Sequence, residues 1–371
     1  MTLPLKNIRI LDLSRVLAGP LASMILGDLG ADVLKIERPG GGDDTRGWGP
    51  PFDARGESAY FLSVNRNKLS AAADLSDPRD RELLASLIAD ADVVLENFRP
   101  GTMERHGLGP ATMLAAHPRL LWCTITGFGP DSARPGYDFV VQAESGWMAI
   151  TGEPSGAPMK VGVALADVLA GKDAAIQILA ALVGRERAQA ERHLWVSLLH
   201  SATAALVNVA QNALVTGQDA VRWGNAHPNL VPYQVFEASD RPLVIAVGND
   251  AQFAACASAL ELGDLAADAA LATNAGRVMN RGRVVAAIAA RVRSASAATW
   301  MQALERAGVP CGVVKPVLEA LRAVEGSALT GVAPQGPAAV RYPPPRLDAH
   351  GQLIRAQGWG AFAREDAATD V

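Results

Sequence analysis

Apolar residues in the first third of the chain fall in short runs separated by amphipathic stretches, and this alternation predicts strands and helices in turn. Residues 8–13 (IRILDL) make a run of strand length. Gly19 and Pro20 punctuate after it, residues 21–29 continue with helical spacing, and Gly30 suits a helix stop. Residues 31–37 (ADVLKIE) form the next strand. A β-α-β unit of this length implies parallel strands joined by a right-handed crossover. The pattern repeats with a helix over 81–89, strands over 91–96 and 120–125, and one long helix over 166–187. From 206 to 226 a long polar-flanked helix runs into a loop. Residues 232–247 read as strand, turn, strand around Asp240-Arg241-Pro242, helices follow to 307, and 309–314 is a return strand. From Gly331 the chain is rich in Pro, Gly and Ala and reads as extended surface.

At 371 residues the chain exceeds one ordinary core, so two domains are expected. With 49% hydrophobic and 19% charged residues it has the composition of a soluble globular enzyme. The net charge of −4 is spread without a basic stripe, so no nucleic-acid partner is expected. Cys123, Cys256 and Cys311 lack CxxC spacing, which argues against disulfides or zinc and for a reducing, cytoplasmic setting. The opening residues resemble neither a signal peptide nor an anchor. The apolar run over 161–182 is broken by Asp167, Gly171, Lys172 and Asp173, as expected of a buried helix rather than a membrane span.

The opening unit invites a dinucleotide site, but the turn Ser14-Arg15-Val16-Leu17-Ala18-Gly19-Pro20 lacks GxGxxG, and Glu37 alone is weak support. Asp167 stands out where the long helix begins. One reading makes it a helix N-cap, accepting backbone N–H bonds. The other makes it a carboxylate nucleophile, kept ionised at neutral pH by the helix N-terminus. Arg15, Arg38, Arg46, Arg99 and Arg105 follow predicted strands or lie in adjoining loops, where ligands bind in open α/β sheets and arginines grip phosphates. The six histidines form no metal-binding set; His227 sits in a turn-rich loop and either lines a site or braces the loop.

Taken in order, RVLAGPLASMILGDLGADVLKIERPGGGDDTR, NRNK, ADVVLENFRPGTMERHGL, GFGP, PGYDFVVQAESG, TGEPSGAPMKVGVALADVLAG, GNAHPNLVPYQVF and AGVPCG resemble the class III coenzyme A transferases, the family of formyl-CoA and carnitine CoA-transferases that also holds α-methylacyl-CoA racemase. The resemblance implies an α/β fold with a Rossmann-like large domain over 1–200, a linker over 201–225, a smaller α+β domain over 226–318 and a shortened C-terminal return over 319–371. It also implies an interlocked homodimer. Asp167 matches the family's catalytic aspartate. Leu17, Ala18, Arg38, Ala73, Asn97, Phe98, Thr102 and Arg105 match CoA contacts, with Arg15 beside them, and Tyr137 and Asp138 match a pair beside the thioester. The implied substrates are an acyl-CoA and a carboxylic acid, with no tightly bound cofactor, no metal, no nucleic acid and no membrane.

Three departures qualify the resemblance. Tyr137 stands where the racemases carry histidine, and a phenol of pKa near 10 is a poor base at neutral pH. Residues 246–250 (AVGND) replace a glycine run that closes over the aspartate in some transferases. Trp195 stands where an aspartate is common, and the C-terminal return is short, so the large domain is expected to be trimmed there. The expected activity is CoA transfer on short dicarboxylic or hydroxy acids. Racemase or epimerase activity, or a non-catalytic CoA-binding paralogue, are the alternatives.

Overall fold

The computed structural model describes residues 2–187 and 191–363. Six parallel strands form its main sheet: β1 (Arg9–Asp12), β2 (Asp32–Glu37), β3 (Lys68–Ala72), β4 (Val93–Glu96), β5 (Leu121–Thr126) and β6 (His193–Ser197). Their spatial order is β3-β2-β1-β4-β5-β6. The order reverses between β1 and β4, and in open α/β sheets the crevice beyond that point takes the ligand.

Both faces of the sheet are covered, which explains why its strands are near-continuously buried rather than alternating between buried and exposed. Ile10, Val33, Val93, Leu121 and Cys123 pack on one side with Ala22 and Leu26 of α1 (Ala18–Asp28). Leu11, Leu34, Val94 and Trp122 pack on the other with Leu84, Leu87 and Ile88 of α2 (Pro78–Ala89). Asp77 caps α2 by accepting from the Arg79 N–H, and Pro78 stands in its first turn.

Two strands escape the hydrophobic pattern. β3 reads KLSAA and is poor in β-branched residues, yet all five of its residues are buried. It is an edge strand, and the C-terminal return covers it: Asp348 Oδ1 accepts from the Ala72 N–H at 2.7 Å and His350 Nδ1 from the Ser70 N–H at 3.1 Å. β6, with Trp195 in it, is a five-residue strand at the sheet's other edge. The stretch after Gly331 is not merely surface either. It ends in a helix, Gly351–Gln357, and in buried Trp359 and Phe362, which complete the second core. The long helix expected from 206 is a short one, Asn208–Thr216, preceded by Val207 at a positive φ of 45°.

Contacts divide the chain into two compact units: residues 1–148, 160–219 and 324–371 form the first, and 149–159 and 220–323 the second. The second unit has an antiparallel three-stranded sheet, β7 (Tyr233–Glu237), β8 (Pro242–Ala246) and β9 (Cys311–Val313), in that order. Helices Asp250–Ala259, Arg281–Val292 and Ala297–Arg306 supply its core through Phe253, Ile288, Trp300 and Leu304. Among the described residues no single helix is long and apolar enough to cross a membrane.

Candidate active site

Two cavities open at the carboxyl ends of β1, β2 and β4. The first, of about 380 Å³, has an apolar floor of Leu13, Ile36, Ala73 and Leu84, with Arg38 and Phe98 at its sides. The second, of about 220 Å³, is lined by Leu17, Ala18, Asn97, Arg99, Tyr137 and Asp167, among others. Arg15 and Phe98 border both.

The loop between β1 and α1 is held by side chains from three other places. Lys35 Nζ donates to the Ser14 carbonyl at 2.9 Å. Asn97 accepts from the Arg15 N–H at 2.9 Å and donates to the Arg15 carbonyl at 2.8 Å. Both carboxylate oxygens of Asp43 accept from the Val16 N–H at 3.3 Å. Lys35 and Asp43 are themselves paired at 3.0 Å with fully buried side chains. Burial pulls the Lys35 ammonium down, but Asp43, Asp12 and Glu37 outweigh it and the net direction is up. Val16 sits at φ 73°, a left-handed conformation unfavourable for a β-branched residue. Such strain persists only where the surroundings over-determine it, and this clamp does so.

Asp167 is the third residue of a long helix, α3 (Leu165–Glu186). It is not the N-cap. That place belongs to Ala164, and the capping carboxylate comes from Asp138, whose Oδ1 accepts from the Ala166 N–H at 2.8 Å. Asp138 is fixed in turn by buried Gln142, which donates to its Oδ2 at 2.7 Å, donates to the Val163 carbonyl and accepts from the Val161 N–H. With capping delegated, the Asp167 carboxylate faces the second cavity. Gly171, one turn later, lies against α1: a Cβ there would stand 2.6 Å from the Ala18 carbonyl oxygen. Glycine thus permits the close approach that sets Asp167 opposite Leu17 and Ala18.

Burial, and then the neighbouring charge of Asp138, push the Asp167 carboxyl up to about 7. The expectation of full ionisation at neutral pH is therefore corrected: desolvation outweighs the helix N-terminus. Tyr60 shares this environment. Burial, then Asp167, Asp138 and Asp43, push its phenol up to about 12. If Asp138 is replaced by Asn, the amide oxygen can still cap α3 while the repulsion disappears, at the cost of the hydrogen bond from Gln142, whose Nε2–H then faces the new NH2 group. The acid limb of the pH–rate profile for Asp138→Asn should then move down by about half a unit to one unit, less than the full displacement because burial is the larger cause. A pH titration of kcat checks this.

The remaining sequence candidates divide. Arg46 lies over Phe61 and pairs with Glu37 and Glu57 at 2.8 and 2.7 Å, bracing the core rather than a ligand. Thr102 and Arg105 share a short helix and a 3.4 Å hydrogen bond to each other, and neither lines the two cavities. His227, in the second unit, accepts from the Asn229 N–H and packs on Tyr233, so it braces its own loop. In the segment expected to replace the glycine run, Asn249 caps the helix Asp250–Ala259 and the Gly248 N–H donates to Gln252, making a tight helix cap. Among the described residues no group of three His, Cys, Asp or Glu could hold a metal ion.

Sequence reading did not single out Asp43, Asp44, Tyr60 or Gln142. For the two aspartates a signal existed, since they end the glycine-rich loop after β2, where ligand-reading carboxylates sit in related sheets. Tyr60 and Gln142 carried none.

Comparison with known proteins agrees with this architecture. The model of "CoA-transferase family III" matches residues 5–351. A succinyl-CoA:glutarate CoA-transferase from Mus musculus is 46% identical over 314 residues, covering 84% of this chain and 72% of its own. A succinate–glutarate CoA-transferase from Agrobacterium fabrum is 39% identical over 95% of both chains. The crystal structure of a CAIB/BAIF family protein from Brucella suis superposes with a TM-score of 0.86 at 38% identity, covering 96% of this chain and 99% of that one. With a family match over nearly its whole length and relatives this similar, the chain belongs to CoA-transferase family III.

Proposed function

We propose that this enzyme transfers CoA between short dicarboxylic acids, with Asp167 as the covalent carrier. The observation that carries this reading is the Asp167 carboxylate itself: released from capping, half-buried, and facing a cavity at the sheet's ligand crevice. The names of the relatives from mouse and Agrobacterium, which act on succinyl-CoA or succinate and glutarate, support the substrate class.

The chemistry balances without an outside redox partner. An Asp167 oxygen attacks the thioester carbon, the C–S bond breaks, and a mixed anhydride and CoA thiolate form. The thiolate attacks the aspartyl carbonyl, releasing the first acid as its carboxylate and leaving an aspartyl-CoA thioester. A second carboxylate attacks that thioester, thiolate leaves again, and its attack on the new acyl carbon regenerates Asp167. The clamped loop carrying Leu17 and Ala18 supplies a fixed wall for these steps, and the apolar first cavity suits the nucleotide end of CoA, with Arg38 and Arg15 toward its phosphates.

The test is to mix the enzyme with succinyl-CoA, quench with hydroxylamine or borohydride, and map the product by mass spectrometry. Conversion of Asp167 to the hydroxamate or the reduced alcohol is expected; a label elsewhere, or none during active turnover, rejects the carrier role. The same reading includes a homodimer, supported by the exposed apolar residues Val207, Leu214 and Val215, which are 69 to 78% accessible.

A further inference from the structure

Where the two cavities meet, one carboxylate spans two arginines. Asp44 Oδ2 lies 3.2 Å from Arg15 Nη1, and its Oδ1 lies 2.7 Å from Arg38 Nη2. Arg15 borders both cavities, Arg38 the first and Asp44 the second. The backbone beneath is fixed, because buried Asp43 caps the short 3₁₀ turn Asp44–Gly47. The ion pairs above it are not locked, since the side chains of Arg15, Arg38 and Asp44 are 42, 57 and 35% exposed, and pairs so hydrated exchange readily. Arg15 also holds its Nε buried with no acceptor, so its guanidinium has a donor left over after Asp44 is bound. A phosphate group carries at least the charge of this carboxylate and has an additional oxygen, which can meet that donor once the Arg15 side chain swings away from Asp44.

We propose that Asp44 is a built-in counter-anion: it holds Arg15 and Arg38 side by side in the free enzyme and is displaced from them by a phosphate of the incoming CoA. This rests on the CoA-transferase reading above and adds to it a residue that tunes affinity. Without ligand, Asp44 keeps two like charges together and the path between the cavities defined. With CoA, the arginines change partner, and the competing carboxylate lowers affinity enough to let product leave.

Removing the competitor therefore strengthens binding. Isothermal titration of Asp44→Asn and Asp44→Ser with CoA, at low ionic strength, should give a Kd about two- to fivefold lower than wild type. The gain should shrink at high salt. The ratio of kcat/KM for succinyl-CoA to that for the phosphate-free succinyl-pantetheine should rise by a similar factor. Unchanged or weaker CoA binding in both variants, with wild type binding CoA normally, overturns the counter-anion role and leaves the transferase reading standing. Failure of the wild-type enzyme to bind CoA at all overturns both.

Discussion

Asp167→Asn is expected to lower the rate of CoA exchange by at least about a thousandfold, because the isosteric amide cannot form the anhydride or the aspartyl thioester. The same substitution should make the protein more stable at pH 8. The sign follows from the direction of the shift. In the fold the carboxyl titrates at about 7, well above the ordinary value of 3.8 that applies once unfolded. Between those values the folded state binds the proton more strongly, so wild-type stability falls as pH rises from 4 to 7, and the full penalty is present above 7. A displacement of this size corresponds to about 4 kcal/mol, and partial exposure of the side chain lowers the penalty to on the order of 2–4 kcal/mol. The asparagine variant never ionises and escapes it. Urea unfolding of both proteins at pH 5 and pH 8 tests the point: a variant no more stable than wild type at pH 8, or one that still exchanges CoA, contradicts the role assigned to this side chain.

Lys35→Met should cost about 3–5 kcal/mol of folding stability, because it leaves the Asp43 carboxylate buried with its main counter-charge gone. Lys35 is fully buried, pairs with Asp43 and donates to the Ser14 carbonyl. Its loss therefore also frees the loop that holds Val16 in a left-handed conformation. Thermal and urea denaturation measure the stability. A loss below about 1 kcal/mol would mean that the pair is no stronger than a surface one and that the clamp on Ser14 to Val16 is not real.

The largest structural features were legible because they rest on local pattern. β1, β2, β4 and β5 appeared as apolar runs, and α1 and α3 by their periodicity and their glycine or proline punctuation. β3 and β6 were not legible. The residues of KLSAA favour a strand weakly, and only the neighbouring β2 and the returning chain at Asp348 and His350 make them one. The hydrophobic finish at Trp359 and Phe362 was hidden in a stretch whose composition suggested surface.

At the site the division is similar. Residue type and position make Asp167, Arg15 and Arg38 candidates in the sequence, with N-cap and nucleophile both open for Asp167; the family resemblance favours the nucleophile and adds Asn97. The state of Asp167 depended on tertiary structure: capping falls to Asp138, 29 residues earlier in the chain, and desolvation lifts the carboxyl against the pull of the helix end. Arg46 and His227 show the converse, polar residues at plausible sequence positions that the fold uses as braces. Sequence by itself determined which groups are present and which segments alternate between strand and helix, because those follow from side-chain chemistry and short-range spacing. Which charges are buried together, and so which carboxylate is left unpaired at a cavity, was decided only by the tertiary structure, because desolvation and pairing depend on neighbours far away in the chain.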